Sequence, residues 1–229
     1  MNAREENRYG ELKFDQIASR LLAWYARFGR KFSFRYLRDP YSILIAEILL
    51  RKTTARQVDK VFPEFIRRYP SFKALAEASV GDVEKLIRPL GLRGRAIQLL
   101  QIAKQVVDRF NGELPKNEEE LKKLPGVGGY IAGCVLTFAY HIRKPLVDSN
   151  VKRVLSRLAG YSNVPMKSKE LLRRLSEIYL LIAPKGAERD FHYALLDLAA
   201  LICRPKEPRC EECPVAKLCI GKCLKNDYF

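Results

Sequence analysis

Three groups of residues in this 229-residue chain have the types and spacing that chemistry needs. The first is a cysteine tetrad near the C-terminus, Cys203, Cys210, Cys213 and Cys219, spaced C-x6-C-x2-C-x5-C in a loop with three prolines. Such a loop is too short for a core of its own, and a bound centre supplies the missing stability. Four thiolates on one centre suit either Zn²⁺ or a [4Fe–4S] cluster, and spacing does not separate the two. The second group is the glycine hairpin Leu124-Pro125-Gly126-Val127-Gly128-Gly129. Glycine permits positive φ and close approach, so Gly126, Gly128 and Gly129 can bare backbone N–H groups to a phosphate. A plain helix–helix turn is the structural alternative. The third group is a pair of isolated acids, Glu47 and Asp148. Glu47 interrupts an apolar run, where a carboxylate is either held by a structural hydrogen bond or tuned to work as an acid. Asp148 can cap the helix that follows it, but Ser149 or Asn150 can cap equally well and leave Asp148 for chemistry.

These residues must be positioned by helices, because no stretch has strand periodicity. Phe14, Ile17, Leu21, Tyr25 and Phe28 form one apolar face of a helix over 14–28, stopped by Gly29. Asp39-Pro40 opens a second, over 41–56, whose run Ile43 to Leu50 is apolar nearly all round and therefore buried. At its end, Arg51-Lys52-Thr53-Thr54 points out of the core. Short helices follow over 58–110, broken by a second glycine loop, Gly91-Leu92-Arg93-Gly94, another candidate phosphate contact, and closed by Asn111-Gly112. Helices over 117–124 and from Gly129 to His141 flank the hairpin. A further helix starts just after Asp148, and two more span 168–183 and 189–203. Short connections between helices imply antiparallel packing in an all-α fold.

Composition narrows the partners. The chain carries 42 Lys+Arg against 26 Asp+Glu, a net charge of +16. An excess this lopsided favours a polyanion, nucleic acid first. No single basic amphipathic helix concentrates the charge, which speaks against an anionic membrane surface. There is no apolar run of the roughly eighteen residues that a spanning helix needs. The polar start MNAREENRYGELKF lacks a secretory core, so an intracellular, cytoplasmic protein is expected, and metal ligation is expected over disulfides.

The hairpin LPGVGGYIA, the downstream VDSNVKRV and the terminal cysteine tetrad, in that order, resemble the endonuclease III and MutY superfamily of helix-hairpin-helix DNA glycosylases. The resemblance runs from about Phe14 to Cys219. It implies a [4Fe–4S] cluster on Cys203, Cys210, Cys213 and Cys219. It implies a six-helix barrel over 32–143 and a cluster domain built from 1–31 and 144–229, with double-stranded DNA in the cleft between them. Bifunctional members place a Schiff-base lysine where this chain has Tyr130, which implies a monofunctional enzyme. The adenine-removing MutY branch shares the buried Glu47 and an asparagine at Asn150, but its usual Gln-Gln-Thr is here Arg51-Lys52-Thr53 and its extra C-terminal domain is lacking. The archaeal mismatch glycosylases that remove thymine or uracil opposite guanine are the better match, through ILIAEILLRKTTA, the Gly-Val-Gly-x-Tyr hairpin and RDFHYALLDLAALIC.

That resemblance assigns the roles. The base is flipped out, Arg51 or Leu92 plugs the gap, and Asp148 stabilises the sugar cation. Glu47 positions water or shares a proton with the base, and Tyr130 hydrogen-bonds in the pocket. Lys52 and Asn150 join the DNA-binding set, and the N–H groups of Val127 and Gly129 hold the phosphate 3′ to the lesion. Such an enzyme is expected to work as a monomer on DNA holding a mismatched or damaged base, in the nucleoid. The competing classes are an adenine glycosylase and a non-catalytic DNA-binding iron–sulfur protein.

Overall fold

A computed structural model describes residues 13–91, 94–161 and 168–221, and the described residues form helices and turns with no strand. No helix among them is long and apolar enough to cross a membrane. The chain divides into two compact units, one of Lys31–Lys144 and one of Met1–Arg30 with Pro145–Phe229.

The second of these units joins both ends of the chain. Helix α1, Phe14–Phe28, buries Ile17, Ala18 and Leu21. It stops where Gly29 lets the backbone press against Tyr25, because a Cβ at Gly29 would lie 2.5 Å from the Tyr25 carbonyl oxygen. Just beyond, Asp197, with no exposed surface, accepts from the Arg30 backbone N–H at 2.6 Å and from its Nε at 2.7 Å. A buried carboxylate held by the Arg30 backbone and its charged guanidinium ties the end of α1 to a late helix.

The unit of residues 31–144 contains α2 (Pro40–Leu50), α3 (Ala55–Arg68), α4 (Phe72–Ala76), α5 (Val80–Ile87), α6 (Arg95–Phe110), α7 (Glu118–Leu121) and α8 (Gly129–Tyr140). Asp39 caps α2, accepting from the Ser42 N–H at 2.8 Å with Pro40 at the first turn. Every residue from Tyr41 to Leu49 is buried, and α2 packs against α8, which is buried from Ile131 to Phe138.

The helix expected over 41–56 is two helices. Lys52 adopts φ +58°, and Thr54 and Gln57 form a capping box that starts α3 afresh. The first helix of the hairpin, expected over 117–124, has only the four residues of α7, after which Lys122 and Lys123 turn back to pair with Glu119 and Glu120.

The remaining helices belong to the unit made from the chain ends. They are α9 (Ser149–Leu158), α10 (Lys169–Ile182) and α11 (Glu188–Leu201). Helix α11 packs on α1 and α9, and α9 on α10, around Leu155, Leu175, Ile178, Phe191 and Leu195. The cysteine loop follows α11 and is anchored by Val215, 1% exposed.

Candidate functional site

In the unit of residues 31–144 the hairpin leaves a helix start open. The turn closes on a bond from the Val127 N–H to the Leu124 carbonyl at 3.0 Å, with Gly126 at φ +71°. Gly128 is the N-cap of α8 and offers no side chain, and the first helical bond runs from the Ala132 N–H to the Gly128 carbonyl. The exposed N–H of Gly129 therefore sits at the positive end of the helix with no partner inside it. Of the two N–H groups expected to hold the phosphate, that of Val127 bonds within the turn and the residue is 4% exposed, whereas Gly129 is exposed.

Arg51, expected as a plug for the gap in the stack, donates from Nη1 to the Gly126 carbonyl at 3.0 Å and so also contacts the hairpin. Lys52, next to it, is exposed on its left-handed turn. Leu92, the other expected plug, lies outside the described residues. Glu47 is 8% exposed at the middle of α2, and Tyr130 is half-buried in the first turn of α8.

In the other unit Asp148 is itself the N-cap of α9. Its Oδ1 accepts from the Val151 N–H at 2.7 Å and its Oδ2 from Asn150 Nδ2 at 3.1 Å. The expectation that Ser149 or Asn150 caps in its place does not hold. Asp148 stays half-buried, its carboxylate fixed in orientation by two donors. Asn150 is oriented in turn, because its Oδ1 accepts from both Arg153 Nη atoms at 3.3 Å. Arg153 is 7% exposed and also donates to the carbonyls of Cys203 at 3.0 Å and Ala199 at 3.1 Å. Burial pushes its pKa down, against the opposing pull of Cys203.

The four tetrad cysteines line one cavity with Val154, Leu198 and Val215. Arg157 projects from the same helix as Arg153, with Nη1 at 3.5 Å from Cys203 Sγ and at 2.7 Å from the Arg204 carbonyl. Burial raises the pKa of the Cys213 thiol and pushes Cys219 up to about 12. Cys203, Cys213 and Cys219 are free thiols, whereas Cys210 is disulfide-bonded. Among the described residues no three His, Cys, Asp or Glu side chains close on a common point. The donor set fits a thiolate-ligated group once Cys210 is reduced: four sulfurs on one apolar cavity beside a guanidinium.

Arg153, Arg157 and Gln98 were missed from sequence. The two arginines gave no signal, since they lie on the helix face opposite Val151, Val154, Leu155 and Leu158 and read as an ordinary solvated face.

Comparisons with known proteins bear on these sites together. Residues 45–179 match the family model "HhH-GPD superfamily base excision DNA repair protein". A thymine-DNA glycosylase of Aeropyrum pernix is 42% identical, over 91% of this chain and 95% of its own. A thymine/uracil-DNA glycosylase of Pyrobaculum aerophilum is 38% identical, over 89% and 90%. A solved thermostable thymine-DNA glycosylase superposes with a TM-score of 0.82 at 34% identity, over 96% of this chain and 99% of its own. The chain belongs to the HhH-GPD superfamily of base excision DNA repair proteins.

Proposed function

We propose that this chain is a monofunctional DNA glycosylase that removes thymine or uracil mispaired with guanine from double-stranded DNA, acting as a monomer in the nucleoid. What carries the reading is the end-to-end similarity to the Aeropyrum and Pyrobaculum glycosylases. The electrostatics agree with it, through a net charge of +16 for a polyanion and an open helix start for a phosphate.

The target base leaves the stack, which costs least for a mispaired base. The C1′–N1 bond then breaks, its electron pair departs with the base, and positive charge grows on the sugar. Asp148, already oriented by Val151 and Asn150, faces that charge as a fixed carboxylate and needs no reorganisation. Glu47, kept from bulk water, positions the water that adds to C1′ or shares a proton with the departing base. Tyr130 hydrogen-bonds in the pocket. A phenol cannot form a Schiff base, so the product is an abasic site in an intact strand. Lys52, Asn150 and the hairpin glycines Gly126, Gly128 and Gly129 complete the DNA-binding set.

Cys203, Cys210, Cys213 and Cys219 would hold a [4Fe–4S] cluster, whose iron–thiolate bonds fix the loop in shape. Four irons and no zinc per chain in reducing buffer support this, and stoichiometric zinc contradicts it.

The test is incubation with duplexes containing G·T, G·U, or adenine opposite 8-oxoguanine, followed by alkali. Strand breaks in the first two are expected. Breaks in the last alone point to an adenine glycosylase, and binding without breaks points to a non-catalytic module. Tyr130→Lys is expected to cleave the strand without alkali, and a variant that excises but never nicks removes Tyr130 from the sugar.

A further inference from the structure

The hairpin makes few bonds of its own, and two consecutive carbonyls in it are held by side chains from elsewhere in its unit. Gln98, in the first turn of α6, donates from Nε2 to the Pro125 carbonyl at 2.8 Å. Arg51, just past the end of α2, donates from Nη1 to the Gly126 carbonyl at 3.0 Å. Each bond fixes one peptide plane, so the two peptides on either side of Gly126 are held against rotation.

Two further observations show how tight this grip is. A Cβ built on Gly126 would lie 2.0 Å from Gln98 Nε2 and 2.9 Å from Arg51 Nη1, so both side chains fill the space over that residue. Arg51 is itself held from behind. Arg95, 9% exposed at the start of α6, donates to the Ile48 carbonyl and, at 3.3 Å, to the Arg51 carbonyl. Burial and the neighbouring Arg51 charge both lower the Arg95 pKa, as expected where two guanidiniums are held close. An arginine stays charged at any working pH, so the hairpin has two fixed cations behind it.

We infer that Gln98 and Arg51 are positioning residues for phosphate binding, holding the Pro125 and Gly126 carbonyls so that the N–H groups entering α8 stand ready before DNA arrives. This rests on the reading that the hairpin takes a DNA phosphate. A loose hairpin must be ordered at the moment of binding, and a braced one has lost that entropy already. The effect falls on affinity and not on the chemical step, which the acids perform.

Gln98→Ala and Gln98→Glu test it, the second replacing a donor with a carboxylate that repels the Pro125 carbonyl. The full-length protein is titrated with an undamaged duplex across a salt series, and single-turnover excision of a G·U duplex is measured at saturating protein. Kd is expected to rise about tenfold, more for Glu than for Ala, while the salt slope of Gln98→Ala stays as in wild type, because the phosphate donor that is misplaced is a neutral N–H. The saturated rate stays within about twofold of wild type, which a general structural loss would not allow. Folded Gln98→Ala and Gln98→Glu proteins with unchanged Kd overturn the inference. A wild-type protein that binds no duplex overturns the proposed function instead. Gly126→Ala provides a second arm. Its new Cβ collides with Gln98 Nε2, so its affinity penalty should shrink in a Gln98→Ala background, and equal penalties in both backgrounds also overturn the inference.

Discussion

Two helix starts in this protein have opposite chemistry. Helix α8 begins at Gly129 behind Gly128, which has no side chain to offer as a cap. Helix α9 begins at Ser149 behind Asp148, whose Oδ1 takes the Val151 N–H at 2.7 Å. Every helix start is positive and short of acceptors. One start here has no side-chain cap and is proposed to take an anion from a partner, and the other carries its own. The difference bears on the role proposed for Asp148. Oδ1 anchors the helix, while Oδ2, steadied by Asn150, is the oxygen proposed to face the sugar cation. On that proposal one carboxylate serves as both cap and catalytic group.

Changing the capped start has the largest expected consequence. Asp148→Ala removes both cap and charge: excision should fall about 10³-fold, and stability by about 1 kcal/mol. Loss of stability with excision retained would reduce Asp148 to a cap. Next comes a change at the open start. Gly128 has extended backbone (φ −95°, ψ 179°), and a Cβ added there would meet no atom within 4 Å, so Gly128→Asp should build the cap that α8 lacks. Melting temperature should hold or rise slightly, while duplex affinity drops at least about tenfold, because the new carboxylate occupies the phosphate's place. Unchanged affinity would mean that no phosphate binds there.

Arg153→Met tests what steadies Oδ2. It leaves the Cys203 and Ala199 carbonyls without their buried donor, costing about 1–3 kcal/mol, and frees Asn150 to turn. Excision at saturating protein should fall by more than affinity does. The smallest effect belongs to an ordinary start, that of α10, where Ser168 caps and Glu170 pairs with Arg173 and Arg174. Those arginines lower the Glu170 pKa to about 2. Its depressed value means the pairing stabilises above the ordinary carboxylate pKa and is lost as pH falls toward 2. The carboxylate is solvent-exposed, so Glu170→Gln should barely move the melting temperature at neutral pH and leave excision alone.

Much of this was readable in the chain. Helix α1 falls on the expected residues because its apolar spacing runs unbroken to Gly29. The α2–α3 break was hidden, since Arg51 to Thr54 continue a helical pattern and only the Thr54/Gln57 box marks the restart. Asp148 was recognisable as an acid before a helix, but which of three neighbours caps is decided by backbone geometry. The braces on the hairpin were invisible for another reason: Gln98 and Arg51 reach carbonyls far along the chain, and a backbone acceptor has no signature of its own in sequence.

The central claim is that the Asp148 charge, and not only its oxygen, drives base removal. Asp148→Asn separates the two, because asparagine caps a helix as well as aspartate does. Single-turnover excision from G·T and G·U duplexes, beside duplex affinity and melting temperature, is the measurement. The expected result is excision reduced about 10³-fold with affinity and stability close to wild type. An Asp148→Asn protein that excises at the wild-type rate would contradict it.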